Sequence, residues 1–208
     1  MIIKSASDVV GWTPPSQHKA YETVAAMLPD NANILEIGPA WGRSTWKWLE
    51  ILPENGTMTT VDAFILSTRK LQKMLDAHSD RPDIVEYINE CLEKGMSQEE
   101  VFYDQINRHP NRDKLKRVYG KTYYEWKKIN DQKFDMVYLD FVPIYDQWVD
   151  ILNYFEDVPL ICGDSYKTDY IGAFGAQKQA IDEYIKRTDY HFKCFEDTDG
   201  FFLIAKDY

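Results

Sequence analysis

Ile34-Leu35-Glu36-Ile37-Gly38-Pro39-Ala40-Trp41-Gly42-Arg43-Ser44-Thr45 leads into a helical run and then into the stretch Gly56 to Asp62. Ile34 to Ile37 is a short apolar run between Asn33 and Gly38, the pattern of a parallel strand buried on both faces. Gly38 and Gly42 bracket a tight turn. Ser44 to Leu52 carries Trp48, Leu49 and Leu52 at helical spacing, and Pro53 and Gly56 end that helix. Thr57 to Val61 reads as a second strand, with Asp62 at its carboxyl end.

A strand, a glycine turn, a helix and an acid-tipped strand make half of a nucleotide-binding sheet. Ligands of such sheets bind outside the carboxyl ends of the strands, and an acid roughly twenty residues past the turn can accept hydrogen bonds from ribose hydroxyls. Glycine lets the backbone come close to the ligand. An adenosine-bearing ligand is therefore expected. A dinucleotide wants G-x-G-x-x-G, so that its pyrophosphate can lie on the helix N-terminus. Ala40 and Arg43 stand at the second and third of those glycine positions, which disfavours NAD. Glu36, two residues before Gly38, repels phosphates and suits a cationic, amine-bearing ligand.

Glu36-x-Gly38-x-x-x-Gly42-x-Ser44 resembles motif I of the class I S-adenosylmethionine-dependent methyltransferases. It is most similar to the small-molecule O-methyltransferases of the catechol, macrocin/TylF-like and "methyltransferase 24" groups. The resemblance implies that Glu36, Gly38, Pro39, Ala40, Gly42, Ser44, Asp62 and Ala63 hold S-adenosylmethionine. Ser44 would donate to the methionine carboxylate or cap its own helix, and Arg43 would reach that carboxylate or solvent. The catechol group has Gly-x-Ser/Thr next to the adenine, which Gly120, Lys121 and Thr122 match. Its fourth strand ends in an acid, as Phe134 to Asp140 does here, and Val158 to Asp164 supplies the fifth strand. Asp140 would contact the cofactor as well.

Asp140 and Asp164 end adjacent strands, so their carboxylates converge near the methyl group as candidate catalytic residues. With Ser165 they form a candidate oxygen-ligand set for Mg2+, whose acceptor would be a diol, catechol or sugar. Two departures from the resemblance stand out. Ser165 replaces the family's second Asn or Asp ligand. Pro143 stands where the catechol group has its Lys base, and no His follows Asp140. Tyr166, Lys167, Tyr145, His78 and His109 are the remaining candidates for that base.

The rest of the chain completes an expected α/β fold: a Rossmann-like seven-stranded sheet with helices on both faces, an antiparallel C-terminal hairpin and a helical lid insertion. Ser16 reads as the N-cap of a helix through Leu28. Trp12, His18 and Tyr21 near its front are packing or acceptor-side residues. The long segment 63–114 reads as an insertion with helices over Ser67 to Ala77 and Asp83 to Lys94 and a third to Ile106, opened by a capping box at Ser97-Gln98-Glu99-Glu100. Leu115 to Tyr119 is a strand, and Tyr123 to Ile129 a helix whose Tyr124 and Trp126 suit adenine or core packing. Asp146 to Phe155 and Ala176 to Arg187 are further helices. Tyr190 to Phe195 and Phe201 to Ala205 form a hairpin about the turn Asp197-Thr198-Asp199-Gly200.

Composition bounds the alternatives. The chain has 208 residues, 44% of them apolar, which fits one domain with a sizeable core. A net charge of −10 argues against nucleic-acid partners, which need basic patches. Cys91, Cys162 and Cys194 are scattered with no metal spacing, as expected of reduced cytoplasmic thiols. No apolar run reaches membrane-span length, and the start shows no signal-peptide core. The expected partner is a small-molecule acceptor. A homodimer stays open, since Tyr123-Tyr124 and Phe201-Phe202 suit either core or interface.

Overall fold

A computed structural model describes residues 2–65, 68–119, 123–129, 132–141, 144–166, 173–198 and 200–206. Seven strands form one sheet: β1 (Asn33–Ile37), β2 (Thr57–Val61), β3 (Leu115–Tyr119), β4 (Met136–Leu139), β5 (Leu160–Gly163), β6 (His191–Cys194) and β7 (Phe202–Ala205). Their order is β3-β2-β1-β4-β5-β7-β6. All neighbours run parallel except β7, which lies antiparallel between β5 and β6. The order reverses between β1 and β4, which pair directly. That switch point opens a crevice at the carboxyl ends of the strands.

The central strands bury both faces, so successive residues feed two cores. Ile34, Met136, Tyr138, Cys162 and Leu203 face one side, with α1 (His18–Ala25) and α2 (Arg43–Ile51). Leu35, Val137, Leu139, Ile161 and Ile204 face the other, with α6 (Tyr145–Tyr154) and α7 (Ala173–Arg187). Phe201 enters the first core and Phe202 the second, so this pair is core rather than interface. Tyr123 and Tyr124 have side chains outside the described residues. Trp126 is buried in the second core.

The segment after β2 carries α3 (Thr68–Ala77), α4 (Pro82–Glu93) and α5 (Gln98–Ile106). The capping box at Ser97 forms as read: its hydroxyl accepts from the Glu100 backbone N–H. Met74, Ile84, Tyr87, Ile88, Cys91 and Val101 make a third core around Trp41 and Val10. Trp41 sits inside the glycine turn, and it is the peg on which the insertion docks.

Local expectations were corrected in two places. Ser16 caps nothing: Pro15–Gln17 is a 3-10 turn, and α1 starts at His18 and ends at Ala25, short of Leu28. The consecutive prolines explain this, because Pro15 at the first position fixes a tight turn before the helix can begin. Tyr123–Lys128 is 3-10 rather than α-helical.

Candidate functional site

The glycine turn is built by close approach. A Cβ on Gly38 would lie 1.9 Å from the Asp140 backbone oxygen, and Gly38 has φ +95°. Ala40 (φ 49°) and Gly42 (φ 103°) are also left-handed, so the chain coils tightly between β1 and α2. Asp62 orients this loop from the end of β2. Its Oδ2 accepts the Ala40 N–H at 2.8 Å, and its Oδ1 accepts the Phe64 N–H at 2.6 Å. A carboxylate offers about four acceptor positions, and two of those on Asp62 are taken by these backbone N–H groups. Pro39 is buried in the same turn, and Ala40 and Ala63 are half-buried.

Glu36 lies beneath the turn and is fully buried. Ser44 and Thr45 each donate a hydroxyl hydrogen bond to it at 2.5 Å. Burial raises its pKa to about 7; the two hydroxyl bonds oppose the rise, and the nearby Asp62 charge adds to it. The Ser44 hydroxyl proton is therefore given to Glu36, and Gly42 holds the N-cap position of α2. Arg43 is engaged too. Its Nε donates to the Val9 carbonyl at 2.7 Å and its guanidinium to the Thr13 carbonyl at 3.3 Å, beside the His78 ring. It ties an N-terminal strap over the head of α2. Burial lowers its pKa to about 10.

Glu36 makes stability pH-dependent with a definite sign. Its carboxyl titrates near 4.5 in an open chain and near 7 when folded. Below about pH 4.5 its contribution is intact, and it is lost as pH rises through 7. Glu36→Gln keeps the shape and removes the charge. From pH 4 to pH 8 the variant should gain about 3 kcal/mol over wild type, by the usual conversion of pKa into free energy. Denaturant melts at the two pH values test this, and parallel losses in both proteins would refute it.

Asp140 and Asp164 follow β4 and β5 in the register that pairs Leu139 with Gly163. Burial, followed by the Asp164 charge, holds the Asp140 carboxyl well above the usual carboxylate range. Ser165 (φ 64°) donates its hydroxyl to Asp164 Oδ1 at 2.9 Å, and Gln177 Nε2 donates to the Asp164 backbone oxygen at 2.6 Å.

The oxygen groups that a Mg2+ would meet at this rim are the Asp140 and Asp164 carboxyls and the Ser165 hydroxyl. A magnesium site needs oxygen lone pairs in octahedral array. Here Ser165 donates its hydroxyl to Asp164. Among the described residues, no group of three His, Cys, Asp or Glu side chains could hold a metal.

Four of the five base candidates are engaged by other groups of the protein. Tyr166 packs on Phe192 and gives its hydroxyl to Asp182 at 2.5 Å, with Lys178 also in reach. Tyr145 donates to Glu183. His78 is locked against Arg43 and Gly11, and His109 stands edge-on to Trp46. Burial lowers both imidazoles to about 4. Lys167, Pro143, Gly120, Lys121 and Thr122 lie outside the described residues. Trp12 is exposed, His18 is half-buried and Tyr21 is core, its hydroxyl bonded to Tyr138 at 2.6 Å.

Three residues of the site were not singled out from the sequence. Thr45 is the second hydroxyl on Glu36, and its i+1 place beside Ser44 was the available signal. Trp41 docks the insertion. Gln17 is 1% exposed, and its side-chain oxygen has no hydrogen-bond partner among the described residues. It extends the stripe Gln17, Ala20, Tyr21 and Val24, which has helical spacing.

No protein-family model matches the chain, and no curated protein sequence does. Solved structures share its fold. Cofactor-bound Rv0187 from MTB superposes with a TM-score of 0.63 at 14% identity, covering 93% of this chain and 81% of that one. The O-methyltransferase from Bacillus cereus in complex with SAH gives 0.62 at 17% identity, covering 97% and 86%. The O-methyltransferase TomG from Streptomyces achromogenes, involved in tomaymycin synthesis and in complex with SAM, gives 0.54 at 16%, covering 94% and 81%. At such identities the likeness is one of fold. Among the described residues no helix is long and apolar enough to cross a membrane.

Proposed function

We propose that this protein is a cytoplasmic, single-domain S-adenosylmethionine-dependent methyltransferase that methylates a hydroxyl of a small molecule without a metal. One observation carries the reading. A glycine turn braced by Asp62 and the carboxyl pair Asp140–Asp164 share one crevice, at the switch point of a parallel sheet closed by a reversed β7. Fold alone does not give function; these groups supply the chemistry.

Gly38, Ala40 and Gly42 would let the backbone lie against the cofactor, and Asp62 would accept from its ribose. When bound, S-adenosylmethionine supplies a methyl group on a cationic sulfur. The crevice would position the acceptor oxygen against that methyl, and S-adenosylmethionine would supply the methyl to the oxygen and leave as S-adenosylhomocysteine, its sulfur keeping the electron pair. The acceptor's hydroxyl proton would pass to the unprotonated carboxylate of the Asp140–Asp164 pair, which later would release it to water. Glu36 keeps the floor of the crevice polar through Ser44 and Thr45.

The test is a thermal-shift series with S-adenosylmethionine, S-adenosylhomocysteine and NAD, each with Mg2+ and with EDTA. A ligand at a hundred times its dissociation constant adds about 2.7 kcal/mol. A rise with the two methyl-cycle compounds, equal in Mg2+ and EDTA, is expected. No rise with either overturns the reading. A Mg2+-dependent increment overturns its metal-free part and reinstates Asp140 and Asp164 as ligands. Turnover over a panel of catechols, phenols and amines, again with EDTA, then distinguishes an O-methyltransferase from an N-methyltransferase or a silent cofactor-binding protein.

A further inference from the structure

Gln17 is a buried amide whose acceptor oxygen meets no donor among the described residues. Buried acceptors are almost always satisfied, and one left bare asks for a ligand or an ion to complete it. The fold fixes where this amide lies. α1 ends at Ala25, and the chain then enters the foot of β1 at Asn33, so α1 runs down from the carboxyl-end crevice, antiparallel to the strands. Tyr21 marks the depth. Its ring lies 4.5 Å from Trp48 of α2, and its hydroxyl bonds Tyr138 of β4 at 2.6 Å.

Gln17 stands one turn above Tyr21, about 6 Å nearer the crevice at 1.5 Å per residue. On β4 the next residue on the same face as Tyr138 is Asp140, about 7 Å higher at the strand rise. On α2 one turn above Trp48 is Ser44. Gln17 therefore tops α1 at the level of Asp140 and Ser44, on the sheet-facing stripe.

We infer that Gln17 binds the amino-acid end of the cofactor, its side-chain oxygen accepting from the methionine ammonium. This rests on the proposed cofactor. The chemistry supports that end over the adenosine end. An ammonium supplies the donor that the bare oxygen lacks. The two side chains expected to hold this zwitterion from α2 are spent elsewhere, Ser44 on Glu36 and Arg43 on Val9 and Thr13. The adenosine end belongs to Asp62, across the turn at the end of β2.

The experiment is isothermal titration with S-adenosylhomocysteine and with 5′-methylthioadenosine, which keeps the adenosine and thioether and lacks the amino-acid end. Gln17→Met preserves length and removes the acceptor. It should bind S-adenosylhomocysteine about tenfold more weakly, equal to about 1.4 kcal/mol, and 5′-methylthioadenosine as wild type does. Gln17→Glu retains an acceptor oxygen and should keep the wild-type affinity for S-adenosylhomocysteine, which also carries the test if the Met variant folds poorly. Unchanged S-adenosylhomocysteine binding in Gln17→Met, or equal weakening of both nucleosides, overturns the inference. A folded wild type that binds neither overturns the proposed function along with it.

Discussion

Gly38→Ala should unfold about 12 °C below wild type, the shift expected when a chain of this size loses about 4 kcal/mol. Two costs add. The φ of +95° sits where an L side chain is strained, and the new Cβ would come within 1.9 Å of the Asp140 carbonyl oxygen and 2.7 Å of its carbon. Both neighbours are backbone, so neither can rotate away. β1 and β4 must part just where the crevice opens. Gly95→Ala is the control. It shares a left-handed φ, +69°, but has nothing within 4 Å. It should lose only about 1 kcal/mol, the cost of the conformation itself. If the two variants melt within about 2 °C of each other, steric closure at Gly38 is wrong.

That glycine also shows what a sequence can and cannot disclose. The strand–turn–helix–strand unit from Ile34 to Asp62 was legible because buried parallel strands and glycine turns are local patterns. So were Asp140 and Asp164, each an acid ending an apolar run, and the Ser97 capping box, a three-residue signal. The roles of Ser44 and Arg43 were not legible. Ser44 turns back eight residues to Glu36 beneath the turn, and the carbonyls of Val9 and Thr13 belong to a distant strap whose course no periodicity encodes. Arg43 read as reaching either the methionine carboxylate or solvent. Its real work is to satisfy backbone carbonyls in a buried junction.

Trp41 and Gln17 illustrate two further blind spots. Trp41 falls at a variable position of the turn, yet it organises the third core with Met74, Ile84 and Val101. Gln105 reinforces it, accepting from the Val10 N–H and donating to the Trp41 carbonyl, both at 2.7 Å. The insertion is therefore fastened to the glycine turn and to the strap at once. Gln17 was passed over because a polar residue beside two prolines reads as loop. Only the stripe it shares with Ala20, Tyr21 and Val24 betrays an inward side chain. Tyr166, two residues after Asp164, turns to α7 and is held by Asp182 and Lys178.

Asp62→Ala should weaken S-adenosylhomocysteine binding about a hundredfold. A carboxylate accepting two ligand hydroxyls contributes about 3 kcal/mol at the lower end for charge-assisted bonds. Asp62 is also preorganised, since its two oxygens already take the Ala40 and Phe64 N–H groups and little ordering remains to be done on binding. The variant loses that brace as well, so its melt is read first, and binding is measured where it is folded. The informative comparison is across ligands. Asp62 addresses the ribose, which S-adenosylhomocysteine and 5′-methylthioadenosine share, so both should weaken by the same factor. Gln17→Met should spare the second. Two variants with orthogonal ligand profiles would lay the cofactor along the crevice, ribose at β2 and amino-acid end under α1. If Asp62→Ala binds S-adenosylhomocysteine as tightly as wild type, the ribose assignment fails and the ligand must lie elsewhere on the sheet.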